Sequence, residues 1–353
     1  MLFMQKKPIG YFYLNKTPFG IAKKREMTLS TKIILQEADR LNISWEVIPG
    51  TELIALSFNN HIEYFTTQIP GTTSALAYLL TNDKSATKHL LDRHGIRTPQ
   101  GDILTKKSSL TYHIKLFNFL KKPLVVKPLD TAHGNHVYLD IRDVKTFTQK
   151  VKTILSKYQS VVVEEMLAGK EYRFIVSREK VIAITYRVPA NIVGDGYKTI
   201  EQLVEDKNSD PRRGNNFKNH ALLKITIDIE SLRLIRKQGY SSLQDIPIMG
   251  KQVLIRETSN ISTGGDSIDF TNQAHESMKN IAVKAINAIP GLAFAGIDIM
   301  TNDITKSQTN NSYGVIEING SPGIFPQYMP YLGKSQPTPL EFLKVLFPEL
   351  CRM

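Results

Sequence analysis

The sequence is poor in cysteine, since Cys351 is the only one among 353 residues. This excludes an intrachain disulfide framework and a cysteine-based zinc site, and it suits a reducing compartment. No apolar run is long enough to cross a bilayer. Lys6, Lys7, Pro8 and Gly10 interrupt the N-terminal stretch, which therefore lacks the apolar segment of a signal peptide. We expect a cytoplasmic protein with no membrane partner.

The charge of the chain is unbalanced, with 45 Lys and Arg against 33 Asp and Glu and a net charge of +12. A basic protein can bind nucleic acid, an acidic membrane surface or small anions. Here the basic residues are scattered, and no basic run is interleaved with aromatic residues as a nucleic-acid groove requires. We expect small-molecule substrates and no nucleic acid, and we leave a homodimer open.

Helical and strand patterns mix along the whole chain, which predicts an α/β or α+β fold in several lobes. The length of 353 residues and the apolar content of 41% are sufficient for two or three lobes with their own cores. We predict a small α/β unit over residues 1–80, a second unit over 81–160 and a larger one over 161–353.

Three helices have recognisable ends. Residues 30–42 show helical spacing with Ser30 as the N-cap, and 83–95 form a helix closed by Gly95. A further helix is predicted around 141–157. The apolar strands that carry the candidate site residues lie on both sides of this last helix.

Oxygen side chains interrupt two apolar strands near the C-terminus. Glu317 and Asn319 lie on one face of the strand at 313–320, because alternate residues of a strand share a face. Asp298 is a lone acid in the preceding strand, 293–300. If the two strands form a hairpin, the three side chains meet, and they are ligands that Mg²⁺ prefers. Each could instead be a satisfied buried polar group, but the three together favour a metal site.

Basic and small residues follow other strands. Lys127 leaves an apolar strand before a proline, where a lysine can hold a phosphate as a point charge, although a lone strand lysine is more often an edge residue. The loop at 131–135 could cover phosphates with backbone N–H groups. Arg256 leaves another strand into a loop of Ser, Thr, Asn and Gly, which is a simple turn or a site for anionic oxygens.

The stretch VVVEEMLAGKEYRF places acidic residues at the end of a strand. Glu164, Glu165, Leu167 and Glu171 are spaced for contacts with an adenine and a ribose. Spacing alone favours the simpler interpretation, a solvated acidic strand end.

In this order, the motifs resemble those of ATP-grasp ligases. Within that family, the sequence resembles most the C-terminal, glutathione-synthetase half of bifunctional γ-glutamylcysteine/glutathione synthetases. The ATP-grasp part of cyanophycin synthetase is also similar. The most specific segments of the resemblance are RVPANIVGDG and SNISTGGDSID, and it extends from roughly residue 26 to the C-terminus. It implies an ATP-grasp fold in which a small pre-grasp α/β domain precedes a phosphate-lid subdomain and a metal and substrate subdomain.

The resemblance also implies an activity and individual roles. The activity is ATP-dependent ligation of a carboxylate to an amine through an acyl phosphate, on amino-acid or small-peptide substrates. The residues implied for ATP are Lys84, Lys127, Gly134, Glu164, Glu165, Leu167 and Glu171. Those implied for two Mg²⁺ ions, or Mn²⁺, are Asp298, Glu317 and Asn319. Those implied for the transferred phosphoryl group are Arg256 and Arg187, and those for substrate are Asn260, Ser262, Gly264, Gly265 and Ser321.

The chain departs from the family pattern in two places. His136 stands in the phosphate loop where a second glycine is common, and its role is open. Residues 320–323 read Gly-Ser-Pro-Gly, where the bifunctional enzymes typically read Phe-Asn-Pro after the metal-binding asparagine. We therefore predict that γ-glutamylcysteine and glycine are a poor pair. A stand-alone glutathione synthetase and an ATP-binding regulatory protein without turnover are the alternatives.

Overall fold

The computed structural model describes residues 27–129 and 136–352. Gly134, predicted to contact ATP, lies outside the described residues. The described residues begin with one helix and a four-stranded antiparallel sheet of order β1-β2-β3-β4: α1 (Leu29–Arg40), β1 (Ser44–Val47), β2 (Leu53–Phe58), β3 (His61–Thr66) and β4 (Ile69–Pro70).

The predicted first helix is confirmed, but its predicted cap is wrong. Thr28, not Ser30, caps α1, and its hydroxyl oxygen accepts a hydrogen bond from Thr31 N at 3.2 Å. Ser30 is the second residue of the helix, and its hydroxyl accepts a hydrogen bond from Ile324 N at 3.0 Å. The serine therefore joins the first helix to the C-terminal part of the chain.

Two helices precede a second four-stranded antiparallel sheet of order β5-β8-β6-β7. The elements are α2 (Ala75–Asn82), α3 (Lys84–Arg93), β5 (Gly101–Thr105), α4 (Leu110–Phe119), β6 (Leu124–Pro128), β7 (Tyr138–Ile141), α5 (Val144–Leu155) and β8 (Ser160–Glu165). Asp83 caps α3, and Gly95 follows it with φ +65°, so the helix predicted at 83–95 is confirmed. The helices α4 and α5 share a buried apolar core with this sheet.

The remaining elements include a central five-stranded antiparallel sheet of order β15-β10-β9-β16-β17. In chain order they are β9 (Lys170–Ser177), β10 (Val181–Val188), β11 (Asn191–Val193), α6 (Ile200–Asn208), β12 (Arg213–Gly214), β13 (Leu222–Leu223), α7 (Ile229–Lys237), β14 (Gln252–Leu254), β15 (Asp266–Asp269), α8 (Glu276–Asn287), β16 (Phe294–Thr301), β17 (Tyr313–Asn319), α9 (Phe325–Tyr328) and α10 (Thr338–Leu346). Short 3₁₀ turns lie at Ile261–Thr263 and Pro348–Arg352. The predicted hairpin is confirmed as β16 and β17.

The two faces of the central sheet have different neighbours. One face packs on α2, α3 and α8 through residues such as Phe174 and Ile297. The other face packs, at one end, on α1, α10 and the N-terminal sheet through Ile175 and Phe294. Because α2 spans the boundary predicted between the first two units and packs on the central sheet, the division at residue 80 stays a prediction.

Residues 190–255 form a lobe with its own small core, which the sequence did not separate from the rest of 161–353. The core contains Ile192, Ile200, Ile235 and Val253. In the described part of the chain, no helix combines the length and apolarity needed to cross a membrane.

Candidate active site

One face of the central sheet carries a row of five polar side chains, one from each strand. The register pairs Glu317 with Asp298, Asp298 with Arg173, Arg173 with Thr185 and Thr185 with Asp269. Directly paired residues of neighbouring strands point to the same face. The row therefore crosses all five strands. It lies on the sheet face that α1 and α10 cover at its apolar end, next to the covered part.

Asp298 and Arg173 form a buried ion pair at the centre of this row. Arg173 Nε lies 2.5 Å from Asp298 Oδ1, and Nη2 lies 2.7 Å from Oδ2. Burial acts to raise the pKa of Asp298, but the guanidinium groups of Arg173 and Arg187 outweigh it and hold that pKa below its ordinary value. The sequence reasoning missed Arg173, although it lies two residues after Glu171 in the motif EYRF.

Arg187 joins a second carboxylate to Asp298. Its Nη1 atom lies 3.0 Å from Glu171 Oε1 and 3.3 Å from Asp298 Oδ1. Ser259 donates a hydrogen bond to Glu171 Oε2 at 2.6 Å. Burial and the nearby Asp298 charge raise the pKa of Glu171. Glu171, expected at a ribose, here connects the loop at 257–265 to Arg187, and its ribose contact stays a prediction.

The predicted metal ligands fit a hard cation. Asp298 and Glu317 are directly paired across β16 and β17, and Asn319 lies on the same face. Asn319 Nδ2 is buried without a hydrogen-bond partner among the described residues, so this amide nitrogen is not committed to another group. In residues 27–129 and 136–352, no group of three or more His, Cys, Asp and Glu side chains forms a metal cage. The set suits Mg²⁺, which takes its other ligands from phosphates and water.

Three lysines line one cavity of about 170 Å³ beside this row. Lys88 and Lys127 each donate to a different oxygen of Glu164, and Lys84 Nζ lies 3.6 Å from Glu317 Oε1. Burial acts to raise the pKa of Glu164, but the two ammonium groups outweigh it and the pKa is lowered. Lys88 was missed by sequence reasoning, although it lies one helical turn after Lys84. The cavity therefore brings three cations together with Glu164, which is predicted to contact ATP, and with Glu317, which is predicted to bind a metal.

The comparison with known proteins agrees with this geometry. Residues 81–195 match the RimK-like ATP-grasp domain. Over 339 residues the chain is 34% identical to the glutathione biosynthesis bifunctional protein GshAB of Enterococcus faecalis, covering 94% of this chain and 44% of that protein. It is 31% identical over 319 residues to a cyanophycin synthetase from Nostoc sp., covering 90% of this chain and 35% of that protein. This chain contains an ATP-grasp domain.

The fold comparison supports the same conclusion. A bifunctional glutathione synthetase from Pasteurella multocida superposes with a TM-score of 0.74 and 32% identity, covering 92% of this chain and 44% of that one. The predicted ATP-grasp resemblance and the mixed α/β class are confirmed. The chain spans less than half the length of these relatives.

Hydrogen bonds fix the end of β8, the strand that precedes the central sheet along the chain. The Glu165 carboxylate accepts hydrogen bonds from Arg97 Nη2 and Gln100 N, both at 3.2 Å, and Glu165 N donates to Gln100 O at 2.8 Å. Leu167 is buried against Gly314. The Glu165 N–H is therefore already paired. The contact with adenine implied for Glu165 and Leu167 stays a prediction, and it would use their other backbone groups.

Arg256, predicted at the transferred phosphoryl group, has other partners in this structure. Its Nη1 atom donates to Asp228 Oδ1 at 2.8 Å, and Nη2 donates to Thr226 O at 3.3 Å. The hydrogen bond from Arg256 lowers the pKa of Asp228 to about 2. The structure therefore brings Arg187, and not Arg256, into contact with Asp298, and the catalytic role of Arg256 stays a prediction.

The predicted substrate residues fall into two places. Asn260, Ser262, Gly264 and Gly265 lie in the loop that Ser259 ties to Glu171, and Gly265 N donates to Asn260 O at 3.3 Å. Ser321 lies after β17, where its hydroxyl is 2.9 Å from Thr67 Oγ1. The substrate contacts of all five residues stay predictions.

His136 follows the phosphate loop and has two neighbours. Its Nδ1 atom lies 3.1 Å from Tyr158 Oη, and its Nε2 atom lies 3.3 Å from Lys157 Nζ. These contacts attach the residue to the segment after α5.

Proposed function

We propose that this chain catalyses ATP-dependent ligation of a carboxylate to an amine. The proposal depends mainly on one cavity. Lys84, Lys88 and Lys127 line it together with Glu317, the first member of the polar row. Three ammonium groups next to a carboxylate of the predicted metal site suit phosphate groups that meet a metal at one end. The relatives, named for glutathione biosynthesis and cyanophycin synthesis, support the same reaction class.

The reaction proceeds in two displacements. A substrate carboxylate oxygen attacks the γ-phosphorus of ATP, and ADP leaves. The amine of the second substrate then attacks the acyl carbon, phosphate leaves with the bonding electron pair, and an amide remains. Little covalent work falls to the protein, so positioning and charge neutralisation carry both steps.

The residues of the site divide these tasks. Lys84 and Lys127 neutralise phosphate oxygens, and Arg187 stabilises the charge that develops beside Asp298. Asp298, Glu317 and Asn319 would hold Mg²⁺ or Mn²⁺, with two ions in the proposed site, and a bound ion supplies charge neutralisation to the phosphates. In this proposal the Arg256 guanidinium leaves Asp228 and then binds the transferred phosphoryl group.

Asp269, a carboxylate at one end of the polar row, already has hydrogen-bond partners and is not free to meet the amine. Its carboxylate accepts hydrogen bonds from Thr271 Oγ1 at 2.6 Å, from Gln336 Nε2 at 3.1 Å and from Lys334 N at 3.3 Å. Both carboxylate oxygens are therefore already engaged by donors of the protein. The arrangement favours the released phosphate as the acceptor of the amine proton.

The proposed substrates are amino acids or small peptides in the cytoplasm. The turn Gly-Ser-Pro-Gly at 320–323 leads us to propose that γ-glutamylcysteine and glycine are not the preferred pair. The second candidate, a glutathione synthetase, is favoured by the 34% identity to GshAB across 94% of this chain.

A matrix of carboxylates and amines, scored by ADP release and by mass spectrometry of the product, tests this proposal. We expect one amino-acid or dipeptide pair to exceed γ-glutamylcysteine plus glycine in kcat/KM. The highest kcat/KM for γ-glutamylcysteine plus glycine would instead identify a glutathione synthetase. ATP binding without ADP release from any pair would favour a regulatory protein and contradict the ligase.

A further inference from the structure

Asp266 is the centre of a buried polar cluster at the base of the small lobe. This residue begins β15 and is 4% exposed. Its carboxylate accepts from Arg213 Nη2, from Lys207 Nζ at 2.6 Å and from Asn191 Nδ2 at 3.1 Å. The three donors come from β12, α6 and β11, so one carboxylate joins three elements of the lobe to the central sheet. We call these four residues the Asp266 cluster.

Arg213 extends the Asp266 cluster to the loop at 257–265. Its side chain is fully buried, and its Nη1 atom donates to Leu223 O at 2.7 Å and to Gly264 O at 3.0 Å. A guanidinium can make these contacts together because its donors are fixed in one plane. A lysine carries the same charge but lacks the planar fork.

The end of the loop held by Arg213 is closely packed. A Cβ atom on Gly264, which has φ +93°, would lie 2.8 Å from Ile225 Cα. A Cβ atom on Gly265 would lie 2.7 Å from Val188 O. Only glycine fits such close backbone approaches. The loop end therefore has one position relative to β10 and the small lobe.

The other end of the loop reaches the candidate active site. Ser259 donates to Glu171 Oε2 at 2.6 Å, and Glu171 pairs with Arg187 beside Asp298. Four residues separate Ser259 from Gly264, whose carbonyl Arg213 holds. A shift at Gly264 is thus transmitted over a short segment to the predicted acyl-phosphate centre.

We infer that Arg213 is a positioning residue that fixes the loop at 257–265 over the candidate active site through the Gly264 carbonyl. This inference rests on the proposed function, because the loop would orient the amine substrate and exclude water from the acyl phosphate. A displaced loop lets water replace the amine, so ATP is consumed without amide formation. The simpler alternative is that the Asp266 cluster only stabilises the lobe.

Arg213→Lys tests the inference, because it keeps a cation beside Asp266 and removes the fork that reaches Gly264. Lys198→Met is the matched control, since Lys198 forms an exposed ion pair with Asp206 in the same lobe. We expect Arg213→Lys to bind ATP with a Kd like that of the wild type. We expect its KM for the amine to rise on the order of 10- to 100-fold and its ratio of ADP to amide to rise above one.

Hydrogen exchange gives a second readout that does not need turnover. The amides of Thr263, Gly264 and Gly265 are protected by hydrogen bonds within the loop. We expect Arg213→Lys, and not Lys198→Met, to exchange faster over 259–265 while peptides of β9 and β16 keep their protection. Unchanged loop exchange, or ATP affinity and amine KM that change in parallel, would overturn the inference.

The two proposals fail in different ways. If the wild type forms no amide from any substrate pair, the ligase proposal fails while the exchange experiment still decides the role of Arg213. If the wild type forms amide and folded Arg213→Lys does so with unchanged KM and an ADP-to-amide ratio of one, only the role of Arg213 fails.

Discussion

Arg173 and Asp298 face each other across the middle of the central sheet, joined by N–O distances of 2.5 and 2.7 Å. Both side chains are about nine-tenths buried or more. The pair lies between Glu317 on one side and Thr185 on the other in the same cross-strand row. Asp298 is therefore oriented by a fixed guanidinium before any ligand arrives.

Removing the guanidinium should strongly destabilise the fold. Arg173→Met leaves the Asp298 carboxylate buried without its bidentate partner, and we expect the free energy of unfolding to fall by about 3–5 kcal/mol. Denaturant unfolding measures this, with Arg178→Met as the control, since Arg178 lies on an exposed turn. The double variant with Asp298→Asn should recover part of the loss. A loss below about 1 kcal/mol for Arg173→Met would contradict a structural role for the pair.

Glu317 should be needed for turnover more than for folding. Its side chain is about one-third exposed, with Lys84 at 3.6 Å, so Glu317→Gln should fold normally. We expect kcat to fall on the order of 100-fold or more, because a charged ligand for Mg²⁺ is lost. The measurement is ADP release across a Mg²⁺ titration, and Glu179→Gln on an exposed turn is the control. Near-normal turnover would remove Glu317 from the metal site.

Lys127 should contribute to ATP affinity. Hydrogen bonds to charged groups contribute about 1.5–3 kcal/mol, so Lys127→Ala should raise the ATP Kd on the order of 10- to 100-fold. ATP should raise the Tm of the wild type by mass action and raise that of the variant much less. Lys121→Ala, an exposed lysine before the same strand, is the control. An unchanged Kd would make Lys127 only a structural partner of Glu164.

Glu164 should make stability depend on acid pH. Its folded pKa lies below the ordinary value of 4.5, because Lys127 and Lys88 outweigh the effect of burial. A lowered folded pKa contributes stability that is complete above the unfolded pKa and is lost as the pH falls through the folded pKa. We expect the stability difference between wild type and Glu164→Gln to be constant near neutrality and to shrink below about pH 4.5. A difference that grows on acidification would contradict this ion-pair assignment.

The hairpin, and the meeting of its oxygen side chains on one face, could be predicted from the sequence because they depend on local pattern. Alternation in the strand places Glu317 and Asn319 on one face, and the pairing of the two strands makes Asp298 the residue opposite Glu317. Lys127 could be singled out for a similar reason, since a charge at the end of an apolar strand is visible in the sequence, and its contact with ATP stays a prediction.

Other partners could not be predicted because they depend on tertiary register. Arg173 faces Asp298 from a strand 125 residues earlier in the chain, and Lys88 reaches Glu164 from a helix 76 residues away. Ser30 had the composition of an N-cap, but its hydroxyl accepts a hydrogen bond from Ile324 N, 294 residues further along the chain. These contacts form only when separate elements pack together.

The stoichiometry of ADP to amide product tests the central claim most directly. For the best substrate pair, quantified by mass spectrometry, we predict one amide formed for each ADP released, with neither formed when either substrate is omitted. Release of ADP without any amide from every carboxylate and amine pair, by a folded protein that binds ATP, would contradict carboxylate–amine ligation.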